Sequence, residues 1–270
     1  GVALEALHVL ETFADSFPRH PPAGRALAMA GRIHQTNEAW EDAIAAYRRV
    51  IGEYPEDEWV KEARWAIAEC TINLSRWQEA AEAYRAYAAA YPQDERIGEA
   101  QARIETLKDL ARYQSLVDEA GQRKAFDAQF QIAGIVGAKL ANPVKAIIEY
   151  RKVAAMWPES HLADDALHAI GTAYLALGET AKAREALLAV AGKYPARPLA
   201  DDALLAVGKS YEEEAERLGA ATRETSREIA KDVAQRNAYR NVQSLRQAQK
   251  ESRAGLIAEL KKGGKGAVAE

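Results

Sequence analysis

The stretch LHAIGTAYLALGETAKAREALLAVAGKYP, residues 167–195, contains one unit of a pattern that recurs along the chain. It ends in an aromatic-proline pair, and such pairs occur at five places: Phe17-Pro18, Tyr54-Pro55, Tyr91-Pro92, Trp157-Pro158 and Tyr194-Pro195. Three of the four intervals between these prolines are 37 residues long. A fixed period of this length indicates an array of repeated supersecondary units.

Within each unit, the apolar positions predict two antiparallel helices. Alanine stands eight residues after the proline of each of these five pairs, at Ala26, Ala63, Ala100, Ala166 and Ala203. Apolar residues recur four and eight positions further on, which places them on one helical stripe. Small residues such as Gly31 and Gly171 would let the second helix approach closely, beside large side chains such as Tyr47 and Leu187. Proline ends each unit because it cannot continue a helix.

The spacing Leu167-x-x-Ile170-Gly171-x-x-Tyr174, followed by Ala183-x-x-x-Leu187 and Pro195, resembles the tetratricopeptide repeat pattern. The resemblance covers most of residues 1–218. It implies an all-α, right-handed superhelical solenoid of antiparallel helix hairpins that binds other proteins. The long turns that end in Tyr-Pro resemble those of bacterial cell-envelope tetratricopeptide proteins, such as the periplasmic Tol–Pal coordinator and the helical lipoprotein of the outer-membrane β-barrel assembly machine.

The repeat pattern is interrupted between Pro92 and Pro158, which are 66 residues apart. We predict one long helix, or two with a soft joint, within 94–120, and then a hairpin with helices near 122–140 and 143–156. The repeat array is predicted to span 1–218, with its irregular unit near 93–121. Residues 1–17 align with a second helix, so we expect the chain to begin in mid-repeat.

After Tyr211 the repeat pattern ends. We predict a helix stop near Gly219 and a new, long helix over 219–262 that begins with the capping box Thr225-x-x-Glu228, followed by a disordered tail at 263–270. This helix carries a patchy apolar stripe of Ile229, Val233, Val242, Leu245, Leu256, Ile257 and Leu260. The stripe either packs on the last repeat as a cap or docks on another chain.

The composition excludes several classes of site. A single cysteine, Cys70, leaves no internal disulfide and no cysteine-based zinc cluster. No nucleophile, phosphate-loop or dinucleotide motif occurs, so we expect neither an enzyme nor a cofactor. No stretch is apolar enough to cross a membrane. Residues 222–270 are basic and the rest is acidic, but no recognition motif accompanies this charge, so we do not expect nucleic acid as a partner.

One cluster has the spacing of metal ligands. His161, Asp165 and His168 would share a helical face, and these residue types can bind zinc. However, the acidic pair Asp164-Asp165 recurs one repeat later as Asp201-Asp202, in the first turn of a helix, where acidic side chains complement the helix dipole. We therefore interpret the cluster as architectural and predict no metal site.

The first helix of each tetratricopeptide repeat lines a concave groove, and the register transfers that property to this chain. The predicted groove residues are Arg25, Arg32, Gln35, Glu62, Trp65, Glu69, Asn73, His168, Thr172 and Lys209. Trp65 is the candidate anchor because an exposed tryptophan in a polar groove is typical of a binding hot spot. The alternative is that the irregular neighbouring unit covers it.

These observations predict a non-catalytic scaffold that binds a peptide or helix of a protein partner in its groove, within a multiprotein assembly of the bacterial envelope. The expected location is periplasmic or envelope-associated, with the cytoplasm as the alternative. Two other functions remain open: a structural subunit of a large complex that uses its convex face or C-terminal helix, and an interaction module of an enzyme whose catalytic domain lies upstream.

Overall fold

The computed structural model describes the backbone of residues 2–119 and 122–263, and that part of the chain is helical with short turns and contains no strand. Side chains are described for residues 3–119 and 125–229, and for a few positions beyond. The helices are α1 (Val2–Ser16), α2 (Pro22–Thr36), α3 (Trp40–Glu53), α4 (Trp59–Asn73), α5 (Trp77–Ala90), α6 (Ile97–Glu119), α7 (Gln122–Ala138), α8 (Pro143–Met156), α9 (Ala163–Ala176), α10 (Thr180–Lys193) and α11 (Leu199–Gly263).

Each helix from α1 to α9 packs against the next one in the chain. Three hairpins, α2–α3, α4–α5 and α9–α10, follow the 37-residue period, and each ends at an aromatic-proline pair. The structure therefore confirms the predicted all-α solenoid of helix hairpins.

The turn inside each hairpin follows the same register as the prolines. One residue has a positive φ in each turn, Glu38 (58°), Ser75 (58°) and Gly178 (74°). Around it the backbone closes with two hydrogen bonds; in the first hairpin the amide of Ala39 donates to His34 (2.9 Å) and that of Glu38 donates to Gln35 (3.0 Å). The other two turns repeat both bonds. This is the Schellman motif, which satisfies the last carbonyls of the first helix.

The aromatic-proline turn between hairpins is equally regular. The residue three positions after the aromatic donates its amide to the aromatic's carbonyl, as Asp57 does to Tyr54 (3.0 Å) and Asp94 does to Tyr91 (3.0 Å). Each of these aspartates also accepts a bond on its side chain from the amide two residues further on. The turn thus ends one helix and starts the next with its polar groups satisfied.

Small residues let the two helices of a hairpin pack closely. A Cβ built on Gly31 would lie 2.7 Å from the Tyr47 ring, and one on Gly171 would lie 2.5 Å from Leu187. Both large side chains are buried. The predicted pairing of a small residue on the first helix with a large one on the second is therefore confirmed at these two hairpins.

The irregular region adopts the first of the two predicted alternatives, one long helix, α6, and the hairpin α7–α8 follows it at the predicted places. Side chains from α4, α5, α6, α7 and α8 form one continuous hydrophobic core. The first turn of α8 also reaches back to the turn that ends α4, where the Lys145 ammonium bonds to the carbonyl of Asn73 (2.8 Å). Helix α6 therefore packs with the hairpins α4–α5 and α7–α8 in one core.

A charged network is buried at this junction. The Glu149 carboxylate is fully buried and accepts hydrogen bonds from Ser75 (2.8 Å), Gln129 (2.9 Å) and Lys152 (2.6 Å), with Lys145 at 3.1 Å. Burial alone would raise the pKa of Glu149, but the bond and charge of Lys152 and the charge of Lys145 hold it below its ordinary value. The carboxylate therefore stays ionised in the core.

The predicted helix stop near Gly219 is wrong. Helix α11 continues through this glycine, and the Thr225 hydroxyl donates to the carbonyl of Ala221 (3.0 Å), as a residue in a helix interior does, rather than capping a new helix. One glycine costs a helix about 1 kcal/mol, which good helix formers on both sides outweigh. Helix α11 thus crosses the predicted boundary at 218–219 without a break.

The chain divides into two compact units, Gly1–Val207 and Gly208–Glu270. In the first unit, Ala203 and Val207 of α11 pack with Leu187 and Val190 of α10. In the second, Ile229 is exposed, while the other side chains of the predicted apolar stripe lie outside the described residues. The role of this stripe as a cap or a docking face stays a prediction. Of the tail predicted at 263–270, Gly263 is instead the last residue of α11, and the rest lies outside the described residues.

Candidate binding groove

A pocket of about 400 Å³ lies between helices α2 and α4 in the first unit. Five of the ten predicted groove residues line it: Arg32, Gln35, Glu62, Trp65 and Glu69. Their spacing explains this, because residues three, four and seven apart on a helix share one face. The alignment of the repeats therefore predicted correctly that these five side chains lie together. Their role in binding remains a prediction.

Trp65 is half-buried, so the neighbouring residues cover part of it and part stays open, while its role as a binding anchor stays a prediction. Its indole packs edge-on against the rings of Tyr84 (4.9 Å between centroids) and Tyr87 (5.1 Å) on α5. Two arginines of the irregular unit approach it, with the guanidinium of Arg96 4.7 Å and that of Arg103 5.6 Å from the ring centre. The remaining surface of the indole lines the pocket.

The same two arginines neutralise the acids of the pocket. Arg96 donates to both carboxylate oxygens of Glu62, at 2.9 and 3.2 Å. Arg103 lies 2.7 Å from Glu69, whose carboxylate also accepts a bond from the Tyr84 hydroxyl (2.6 Å). Paired carboxylates and guanidiniums of this kind hold the wall of the pocket in a preformed arrangement.

Arg32 differs from these arginines. Its side chain is exposed, lines the pocket and makes no ion pair or side-chain hydrogen bond within the described residues. Gln35, one turn further along α2, is held by the Tyr47 hydroxyl, which donates to Oε1 at 2.5 Å. In the part of the chain that the structure describes, the pocket therefore sets a free guanidinium beside paired carboxylates.

Two titratable groups at the pocket are buried, Tyr47 in its lining and Cys70 beside it on α4. Burial raises the pKa of the Cys70 thiol to about 12, and burial likewise raises the pKa of Tyr47. Cys70 is fully buried, as expected of a small core residue. Neither group is ionised near neutral pH, so neither provides a nucleophile.

Trp59 was not among the predicted groove residues, yet it lines both this pocket and a second cavity of about 440 Å³. The second cavity is bordered by the first two aromatic-proline turns and contains Arg25, Asp57 and Glu58. Trp59 stands in the turn that follows Tyr54-Pro55, at the first position of α4. The predicted groove positions begin seven residues after each proline, as at Glu62, whereas Trp59 follows Pro55 by only four.

The remaining predicted groove residues do not line the pocket. Asn73 belongs to the junction with α8, where its side-chain carbonyl accepts a bond from Asn142 (3.3 Å). His168 and Thr172 lie on α9, and the Thr172 hydroxyl donates to the carbonyl of Ala169 (3.0 Å). Lys209 is exposed and belongs to the second unit.

The suspected metal cluster has other contacts. His161 lies in the turn before α9, packs edge-on against Phe126 (5.2 Å between centroids) and lies 3.7 Å from the Asp127 carboxylate. Within the described residues, no three side chains of histidine, cysteine, aspartate or glutamate are arranged to hold a metal. None of the helices in that part combines the length and the apolar composition needed to span a bilayer.

Three family models of the tetratricopeptide repeat match this chain, over residues 4–58, 35–104 and 165–196. Each match falls where the structure has helix hairpins. The matches support the tetratricopeptide repeat family, whose members are in general non-catalytic scaffolds that bind other proteins. No curated protein matches the chain.

Several solved structures are similar to this chain. The TPR domain of P58(IPK) is 13% identical, with a TM-score of 0.35 and coverage of 78% of this chain and 66% of that domain. YrrB, described as a TPR protein with an unusual peptide-binding site, is 18% identical, with a TM-score of 0.30 and coverage of 72% and 98%. TTC0263, a thermophilic TPR protein from Thermus thermophilus, is 16% identical, with a TM-score of 0.29 and coverage of 70% and 99%.

Proposed function

We propose that this protein is a non-catalytic scaffold that holds a peptide segment or helix of another protein in the groove formed by α2 and α4. The observation that supports it best is the half-buried Trp65, which borders an open pocket of about 400 Å³. Large aromatic side chains in preformed pockets supply much of the binding energy in protein interfaces. A rigid groove also lowers the ordering cost of binding.

The paired side chains around Trp65 support the same function. Glu62 and Glu69 are held by arginines that lie more than thirty residues further along the chain. The groove wall is thus assembled before a partner arrives, and its side chains need little rearrangement to bind. A multiprotein envelope assembly, with a periplasmic or envelope location, is proposed from the Tyr-Pro turn style described above.

Site-specific photo-crosslinking in the organism of origin tests the proposal. A photoreactive amino acid would replace Glu62 in the pocket, Arg48 on the exposed side of α3, or Leu218 on α11. We expect a covalent adduct with a discrete protein at position 62 and none at position 48. Adducts that form equally at positions 62 and 48 would contradict a groove-directed interaction. Cell fractionation of the tagged chain tests the envelope location.

A structural subunit that uses α11 is the second candidate. Leu218 and Ile229 of this helix are about 60% exposed, and their spacing of eleven residues places them on one face of α11, where a partner surface would cover both. Adducts at position 218 alone would favour this function over the groove. The third possibility, a module of an enzyme with a catalytic domain upstream, stays a prediction.

A further inference from the structure

The charges around the pocket between α2 and α4 are unevenly satisfied. Both of its acids have partners, since Glu62 accepts two bonds from Arg96, and Glu69 forms an ion pair with Arg103 and accepts a bond from Tyr84. Arg32 has no carboxylate partner in the described part of the chain. A guanidinium binds a carboxylate well because its donors match both oxygens. The group that would complete this pocket is therefore an anion opposite Arg32.

The neighbouring cavity does not share this preference. There the exposed Arg25 is accompanied by Asp57 and Glu58, and among the described residues no arginine or lysine pairs with either carboxylate. A ligand carboxylate in that cavity would meet two acids of like charge. What distinguishes the pocket from the cavity beside it is that arginines already pair with its acids, so its free cation is not opposed by unpaired carboxylates.

The walls of the pocket define what should flank the anion. Trp59 and Trp65 are both half-buried and both line it, so an apolar side chain of a ligand can pack against indole surface. Trp59 also borders the neighbouring cavity, so its indole is part of the lining of both. An extended segment that occupied both cavities would cross this indole, as an internal segment does and a chain end need not.

We propose that this pocket binds an acidic side chain within an extended peptide segment of the partner protein, with Arg32 as its counterion and an apolar neighbour against Trp59 and Trp65. The proposal rests on the groove function above and adds the chemical class of the ligand. The Arg32 guanidinium donates to the carboxylate, and the paired state of Glu62 and Glu69 removes most of the repulsion that unpaired acids would cause.

Selection from a displayed library of random peptides tests this with the full chain as bait. Selected sequences would be synthesised with acetylated and amidated ends, so that any carboxylate belongs to a side chain, and their affinities measured by fluorescence anisotropy. Each peptide would be compared with a version in which glutamine replaces its acids, and with a version that has only a free terminal carboxylate. The variants are Arg32→Gln, Trp65→Ala and, as a matched charge control, the exposed Arg85→Gln on α5.

We expect acidic residues to be enriched beside apolar ones. Arg32→Gln should weaken binding about tenfold or more, as should the glutamine peptides, because a charged hydrogen bond is lost. Arg85→Gln should leave affinity unchanged.

In a contrary outcome, the selected peptides lose affinity for Trp65→Ala, show no enrichment of acidic residues and bind Arg32→Gln as tightly as the wild type. That result would overturn this inference and leave the groove function standing. If only the peptides with a free terminal carboxylate bind, the ligand is a chain end and not an internal segment, and that part of the proposal alone is overturned. Peptides indifferent to both substitutions, or no enrichment at all, would overturn the groove function as well.

Discussion

The guanidinium of Arg96 lies 4.7 Å from the centre of the Trp65 ring while bonding both carboxylate oxygens of Glu62. One side chain of the irregular unit thus covers the proposed anchor and orders the acid beside it. Because Arg96 and Trp65 are thirty-one residues apart in the chain, packing between successive units creates this arrangement.

Arg96→Ala should expose Trp65. We expect a loss of about 1–2 kcal/mol in the free energy of unfolding, from the cation–π contact and the paired carboxylate, and stronger quenching of tryptophan fluorescence by acrylamide. In a Trp65→Phe background the same substitution should leave quenching unchanged. If quenching increases equally in both backgrounds, another tryptophan is responsible.

Gly31→Ala should destabilise the protein by about 1–3 kcal/mol, because the new methyl group would lie 2.7 Å from the Tyr47 ring. That ring cannot move without loss of its bond to Gln35. The matched control is Gly52→Ala, in helix α3, where no described atom lies within 4 Å of the added Cβ. The control should stabilise by up to about 1 kcal/mol. Urea unfolding measures both, and equal effects would contradict the close packing.

Glu38→Gly should stabilise the protein by up to about 1 kcal/mol, because Glu38 adopts φ 58° in its turn, a conformation that only glycine adopts without strain. Gly178, with φ 74°, occupies the equivalent place in a later hairpin, so Gly178→Ala should destabilise by a similar amount. Thermal unfolding of both variants checks this. If Glu38→Gly destabilises the protein, the Glu38 side chain adds more to the free energy of unfolding than its positive φ removes.

Acid should weaken the turn that contains Asp94. Its carboxylate accepts bonds from Lys61 (2.8 Å), the amide of Arg96 (2.9 Å) and the Tyr87 hydroxyl (2.8 Å), which hold the pKa of Asp94 well below its ordinary value. A carboxyl group with a lowered folded-state pKa stabilises above the unfolded pKa, about 4, and loses that effect as the pH falls. Asp94→Asn should therefore be less stable than the wild type at pH 7.

The difference between wild type and Asp94→Asn should then shrink steadily below about pH 4. Urea unfolding at a series of pH values measures it. A difference that stays constant over the acid range would mean that protonation of Asp94 does not contribute to acid unfolding.

Removal of Glu149 should be costly. Glu149→Ala leaves the Lys145 ammonium buried without its carboxylate, and we expect a loss of about 3–5 kcal/mol. The double variant Glu149→Leu with Lys145→Met should recover much of this, because it removes both charges. Equilibrium unfolding by urea compares the two. If the double variant is less stable than Glu149→Ala, the hydrogen bonds of the network stabilise the fold beyond the pairing of the two charges.

The alignment of the repeats predicted five of the residues that line the pocket, because their positions depend only on spacing within one helix. Arg32 and Gln35 share the face of α2, and Glu62, Trp65 and Glu69 share that of α4, because helical periodicity depends only on spacing along the chain. Asn73 follows the same spacing, yet α8 binds it at the junction. The register could not anticipate that contact, since it arises from an element about seventy residues away.

The sequence by itself determined the helix hairpins, their period and the positions of most helix ends, because proline, small residues and apolar spacing act within a few residues of one another. Gly219 was the exception, since a lone glycine is a weak local signal that its helical neighbours overrode. The tertiary structure alone decided how far Trp65 is covered, which acids are paired and why Arg32 is left free. Those outcomes depend on contacts between hairpins about thirty residues apart, where the packing of one unit on the next sets which charges meet.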